Sequence, residues 1–132
     1  MSNKPPQIPE TLQLQAREVL ERLARPGRGL QAALLSTLDG FEVASLSARD
    51  DLDGRSLAAM SGSLMAMARA VGREVKFPGC KRLTFETDGG VAIFQSVQGP
   101  IPCVLCLVHD EHIPLGQAVW LAGEVTRAME AG

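Results

Sequence analysis

The stretch Leu57–Val75 (LAAMSGSLMAMARAVGREV) constrains the rest of the chain most, because it reads as a helix with almost no solvent-facing side over its first turns. Leu57, Met60, Leu64, Met67, Ala68, Val71 and Val75 recur at three- and four-residue steps and form one broad apolar face. The opposite face begins Ala58, Ala59, Gly62, Ala66 and turns basic only at Arg69 and Arg73. Ala58, Gly62 and Ala66 are spaced by four, giving a strip without bulk along which a second backbone can approach closely. Glycine in mid-helix costs about 1 kcal/mol relative to alanine, and close packing is a reason to keep it there. Two arrangements satisfy such a helix. Either it is buried on both sides within one domain, or its apolar face lies on its own sheet and its small-residue face on a twin subunit. The second is the expectation, with Ala58, Ala59, Gly62 and Ala66 at the contact.

Composition bounds what surrounds this helix. A chain of 132 residues with 45% hydrophobic content is one domain with a core of its own. A net charge of −2 gives no general attraction to nucleic acid or anionic membrane. With four Phe, one Trp and no Tyr, the surface is poorly equipped to stack bases. No apolar run reaches the roughly 20 residues of a membrane span. The start, MSNKPPQIPE, lacks a hydrophobic signal region, and three cysteines form no disulfide framework, so the expected compartment is the cytoplasm.

Taken in order, residues 1–9 hold three prolines and read as a disordered lead-in to a single domain over residues 10–132. Glu10–Arg25 is an amphipathic helix ended by Pro26-Gly27. Leu30–Thr37 and Phe41–Leu46 are strands joined by Leu38-Asp39-Gly40, since Asp-Gly favours the positive φ of a tight hairpin. The acidic loop Ser47–Ser56 leads to the organising helix, with Ser56 as N-cap candidate and Asp50, Asp51 and Asp53 near the positive end of the helix dipole. Three strands follow: Lys81–Glu86, with Leu83 and Phe85 facing inward, then Val91–Gln98, then Ile101–Val108. The last is apolar on both faces and belongs in the middle of the sheet. His109–Pro114 reads as a loop and Leu115–Ala131 as a final helix. The order α-β-β-α-β-β-β-α makes an antiparallel α+β sheet with helices on both faces.

Few residues invite chemistry. Cys103 and Cys106 spell CxxC, but positions i and i+3 of a strand point to opposite faces, so both are read as buried hydrophobes rather than metal ligands. His109, Asp110, Glu111 and His112, three residues beyond Cys106, are read as an exposed polar loop rather than a metal site. Cys80 beside Lys81 is an incidental thiol. A phosphate-binding Gly-x-x-x-x-Gly-Lys-[Ser/Thr] loop, a serine nucleophile elbow and a zincin helix are all absent from the sequence. No cofactor and no enzymatic activity are expected.

The element order resembles the roadblock/dynein light-chain family. So do DGFEVAS after the first strand, the small-residue middle helix, the TDGG hairpin and Leu115-Gly116 opening the last helix. Within that family the likeness is to the bacterial MglB-like branch, from about Leu12 to Ala131. The resemblance implies a profilin-like sheet of order 2-1-5-4-3. It also implies a homodimer built from the middle helices and the third strands, which places Arg82 and Thr84 at the contact. It further implies a non-catalytic regulator or adaptor of a Ras-like small GTPase. The alternatives are a small-ligand sensory module, since profilin-like sheets also host pockets, and an assembly subunit akin to a motor light chain. Arg69 and Arg73 are open to three readings: a solvated basic patch, partners of the twin's Asp50, Asp51 and Asp53 across a dimer, or contacts to the GTPase.

Overall fold

The computed structural model describes residues 8–132. The expected lead-in over residues 1–9 lies outside the described residues but for its last two, Ile8 and Pro9. The elements are α1 (Glu10–Leu23), β1 (Leu30–Thr37), β2 (Glu42–Ser47), α2 (Gly54–Glu74), β3 (Arg82–Thr87), β4 (Gly90–Val97), β5 (Cys103–Asp110) and α3 (Leu115–Ala131). All five strands pair antiparallel in the order β2-β1-β5-β4-β3. The α+β architecture and the sheet order are those expected.

β5 is central because it is apolar on both sides. Cys103, Leu105 and Leu107 join Ala16, Val19 and Leu20 of α1 and Ala118, Ala122, Val125 and Met129 of α3 in one core. Val104 and Cys106 face the other way and pack with Leu34, Phe94, Ala58 and Met65 under α2. The sheet is thus a middle layer, with α1 over β2 and α3 over β4 on one face and α2 over β1 on the other. β3 lies at the margin of both helix layers and is one of the sheet's two outer strands, β2 being the other.

Three local readings change. The organising helix starts at Gly54, not Leu57, and its N-cap is Asp53 rather than Ser56. The Asp53 carboxylate accepts from Arg55 N–H at 3.0 Å and from Ser56 Oγ at 3.1 Å, so Ser56 supports the cap instead of being it. β5 begins at Cys103 and runs on to Asp110, taking His109 out of the expected loop and into the sheet. Strand alternation continues from Leu105 and Leu107 to His109, so it faces the same core.

Candidate functional site

The two faces of α2 are assigned the other way round from the expectation. Ala58, Ser61, Gly62 and Met65 are its buried residues, turned onto the chain's own sheet and hairpin. A Cβ at Gly62 would stand 2.7 Å from the Leu38 carbonyl oxygen and 3.1 Å from the Gly40 nitrogen. Gly40, at φ +90° in the β1–β2 turn, in turn comes so close that a Cβ there would meet Ala59 Cα at 3.0 Å. The close backbone approach read from the small-residue strip is real, but the approaching backbone is the β1–β2 hairpin of the same chain. The strip is also not one surface, because Ala59 and Ala66 are exposed. At 3.6 residues per turn, each four-residue step drifts about 40° around the helix, so Ala66 has rotated well away from Ala58.

What α2 leaves uncovered is its apolar side. Met60 is 52%, Met67 67%, Val71 59% and Val75 52% exposed, with half-buried Leu64 between them. Beyond the helix Phe77 is 78% exposed, and Phe85 of β3 is 57% exposed rather than inward as expected. Leu83, by contrast, is half-buried against the core under α2. Phe85 and Leu83 share α2's side of the sheet, since their partners on β4 are Ala92 and Phe94. A run of large apolar side chains on one helix face, continued onto an adjoining strand, is the mark of a surface that binds another protein.

The charged candidates separate into engaged and free groups. Arg69 is not on the outward face: its Nη2 donates to Ser96 Oγ at 3.2 Å, over the end of β4. Arg73 is exposed, and its side chain makes no hydrogen bond or ion pair among the described residues. Asp51 pairs with Arg49, whose Nε lies 2.9 Å from Oδ1, and that bond holds the carboxyl below its usual range. The Asp53 carboxyl is lowered as well, by the Ser56 hydroxyl first and the Arg55 N–H next. Asp50 alone of the three is exposed and unengaged among the described residues. The acids stand at the start of a 21-residue helix and Arg73 near its end. That is about 30 Å of helix, so the two groups do not meet within one chain. Arg82 and Thr84 are exposed on β3.

Neither cysteine motif nor histidine cluster forms a reactive centre. Cys103 belongs to the core under α1 and α3 and Cys106 to the core under α2, on opposite faces as the strand period requires. Burial pushes their thiols up to about 11 and about 12. Among the described residues no group of three or more His, Cys, Asp or Glu side chains is placed to hold a metal ion. Nor is any helix long and apolar enough to cross a membrane. His112 stays on the surface, its Nδ1 3.2 Å from Asp110 Oδ1.

His109 is the group that the sequence reading misplaced. It is 3% exposed, and neither ring nitrogen has a hydrogen-bond partner among the described residues. Loss of solvent pushes its pKa down, against a smaller opposite pull from the Asp110 charge. The folded state therefore holds a neutral imidazole. Below the unfolded value near 6.5, the unfolded chain takes a proton that the folded chain refuses. Stability should be level above that pH and fall as pH drops towards the lowered folded value, by at most about 1.4 kcal/mol per unit. Urea midpoints at pH 7.5 and 5.5 check this, and His109→Leu should remove most of the difference. An equal difference in wild type and variant would place the acid sensitivity elsewhere.

Neither a search against protein-family models nor one against curated proteins finds a match for the sequence. Solved structures do match. The gliding protein MglB of Thermus thermophilus is 20% identical and superposes with a TM-score of 0.82, covering 97% of this chain and 96% of that one. Myxococcus xanthus MglB is 12% identical at a TM-score of 0.77, over 96% and 92% of the two chains. A Roadblock/LC7 domain from Streptomyces avermitilis is 18% identical at 0.65, over 86% and 88%. At such identities the likeness is one of fold, and this chain has the roadblock fold in the form that MglB takes.

Proposed function

We propose that this chain is a non-catalytic homodimeric regulator or adaptor of a Ras-like small GTPase. The observation that carries the dimer is the uncovered apolar face of α2, Met60, Met67, Val71 and Val75, continued by Phe85 on the outer strand. A second copy with α2 antiparallel to the first covers that face with its like. It also brings Arg73 of each copy towards the acidic loop of the other, where Asp50 is free. The interface is then built from the apolar face together with Arg82 and Thr84 of β3 and the exposed Ala59 and Ala66. Gly62, occupied by the hairpin, and Ala58, buried in the core under α2, drop out of it.

The GTPase reading is supported by the full-length likeness to MglB and by the family resemblance of the sequence. A symmetric dimer presents a composite surface where two α2 helices meet, rimmed by Arg73 and the loop acids. Rim charges act mainly on encounter rate and salt dependence. Reversal of Arg73 to Glu should therefore weaken binding of a Ras-like GTPase from the same organism by about tenfold at low salt, measured at a protein concentration where light scattering shows the dimer to persist, because Arg73 also faces the partner copy's acidic loop. Arg69→Lys and Arg73→Lys should each retain most of any stimulation of GTP hydrolysis. A lysine cannot reproduce the planar fork of an inserted arginine, so loss of turnover with binding preserved would point to an arginine finger instead. If no such GTPase binds, the assembly-subunit reading replaces the regulatory one.

A further inference from the structure

At one end of the sheet β4 outruns its outer neighbour. Its pairing with β3 stops at Arg82↔Gln95, and one further bond joins Ser96 N–H to the Lys81 carbonyl at 2.9 Å. Beyond that point a cleft of about 730 Å³ opens across the sheet edge, lined by Arg69 of α2 on one side and Thr126 of α3 on the other. Successive strand residues point to opposite faces, so the two walls of the cleft differ in chemistry. Ser96 stands opposite Val104 and faces α2, whereas Gln95 stands opposite Leu105 and faces α3.

The α2 wall is a set of donors. Arg69 Nη2 and Gln98 Nε2 both donate to Ser96 Oγ, at 3.2 and 3.1 Å, which leaves the Ser96 hydroxyl proton free to be donated onward. Lys81 shares that face as the cross-strand neighbour of Ser96, and its ammonium has no ion-pair partner among the described residues. The α3 wall offers unmet polar atoms instead. Thr126 is 6% exposed, and its hydroxyl has no hydrogen-bond partner among the described residues. A helical threonine can bond the carbonyl four residues back, and this one does not. Gln95 Oε1 is buried and unpartnered as well. Buried polar groups are nearly always paired in a folded chain, so two orphans lining one cleft mark a place completed from outside the chain. Glu130 and Arg127 finish this wall, the first accepting from Gln98 N–H at 2.8 Å and the second paired with Glu124 at 2.7 Å.

We propose that this cleft binds a small soluble molecule carrying one phosphoryl group on a hydroxylated carbon skeleton. The phosphoryl group lies against Arg69, Lys81 and the Ser96 hydroxyl, and a hydroxyl of the skeleton reaches Gln95 Oε1 and Thr126. Three phosphoryl oxygens can take donors that arrive from different directions. A carboxylate is matched best by a free guanidinium fork, and the fork of Arg69 is already turned to Ser96. Gln95 Oε1 needs a donor, which a hydroxyl supplies and an ionised phosphoryl group does not. The Glu130 carboxylate opposes a second anionic group on the α3 side. No aromatic side chain among the described residues lines the cleft, so a nucleobase finds nothing to stack on. The volume falls within the roughly 300–1,000 Å³ of small-molecule sites. A net charge of −2 gives no pull towards an anionic bilayer, which favours a free ester over a lipid headgroup.

Titration of the isotope-labelled protein with glycerol 3-phosphate, glucose 6-phosphate and inositol 1-phosphate tests this, followed by amide chemical shifts along β4 and α3. At least one ester should saturate shifts around Gln95, Ser96 and Thr126 in the low millimolar range, about tenfold more tightly than inorganic phosphate, and the parent polyols should move nothing. Arg69→Gln and Lys81→Gln should each weaken that ester about tenfold, the loss of a charge-assisted contact. Thr126→Val keeps the side-chain shape and removes only the hydroxyl. It should weaken the ester about fivefold, the loss of one hydrogen bond, without lowering the melting temperature, because the group it removes was unpaired. Inorganic phosphate should bind this variant as it binds wild type. A Thr126→Val protein that melts lower but holds the ester unchanged overturns the hydroxyl contact and the proposal with it. Three esters that move nothing, inorganic phosphate that binds as tightly as they do, or binding that survives both glutamine variants also overturn it. So does flotation of the protein with phosphatidylcholine vesicles containing phosphatidylinositol 4-phosphate when the soluble esters fail, which gives the site to a lipid. The cleft lies within one chain, so none of these outcomes turns on the dimer or on a GTPase.

Discussion

Gly62→Leu is expected to destabilise the folded monomer by about 3 kcal/mol, the upper range for overpacking a well-packed site. The reason is local. A Cβ alone would already lie 2.7 Å from the Leu38 carbonyl oxygen, and both atoms near it belong to backbone rather than to a side chain that could swing aside. Gly62→Ala separates the two terms at that position. Alanine gains about 1 kcal/mol of helix propensity, but its methyl must push the β1–β2 turn off α2. Overpacking of this kind costs about 1–3 kcal/mol, so the net effect of alanine should be destabilising and small. The leucine variant should melt about 12 °C lower, at roughly 3 kcal/mol and 4 °C per kcal/mol. Ala66→Leu, one four-residue step further along the helix, lies clear of the hairpin and should leave the melting temperature of the single chain unchanged, read in a Met67→Glu/Val71→Glu background that keeps it monomeric. Equal melting of wild type and Gly62→Leu would mean the hairpin is not seated on the helix. Equal damage from Ala66→Leu would restore the strip as a single surface.

The pair Met67→Glu and Val71→Glu should do the opposite, leaving the fold intact and abolishing self-association. Both side chains are more than half exposed in the single chain, so their replacement removes little from the monomer's core. In a symmetric dimer each is buried twice. Full burial of such a side chain is worth roughly 1.5–3 kcal/mol, and each carboxylate adds the cost of losing water. Even at about 1 kcal/mol for each of four sites, the dissociation constant rises about a thousandfold. Sedimentation should show a monomer at tens of micromolar, which still unfolds in one cooperative transition whose midpoint no longer depends on protein concentration. A persistent dimer would move the interface to another surface, and an unfolded variant would show that the face is part of the monomer's own core.

Much of the architecture was legible because it depends on local chemistry. β1 and α3 are found over Leu30–Thr37 and Leu115–Ala131, where the apolar pattern places them. Asp39-Gly40 made a turn because glycine takes a positive φ without strain, and Gly40 sits at +90°. Cys103 and Cys106 went to opposite cores because the strand repeat is two. Errors gathered where a boundary was decided by bonds to distant strands. His109 was read as loop because polar residues follow it, yet β1 and β4 both continue far enough to hold β5 through Leu30 and Val91. The two-residue step from Leu105 through Leu107 was the signal that pointed to it.

The sequence by itself determined the periodicities: which residues share a strand face, which line up along α2, and that one line of that helix is nearly free of side chains. Which face of α2 turns inward was decided only in three dimensions. Both faces are apolar enough to be buried, and periodicity cannot rank them. The β1–β2 hairpin settles the matter, because its turn reaches α2 at backbone distance, Leu38 and Gly40 against Gly62 and Gly40 against Ala59. Once that line is occupied, the bulky line through Met67 and Val71 has no sheet left to cover it.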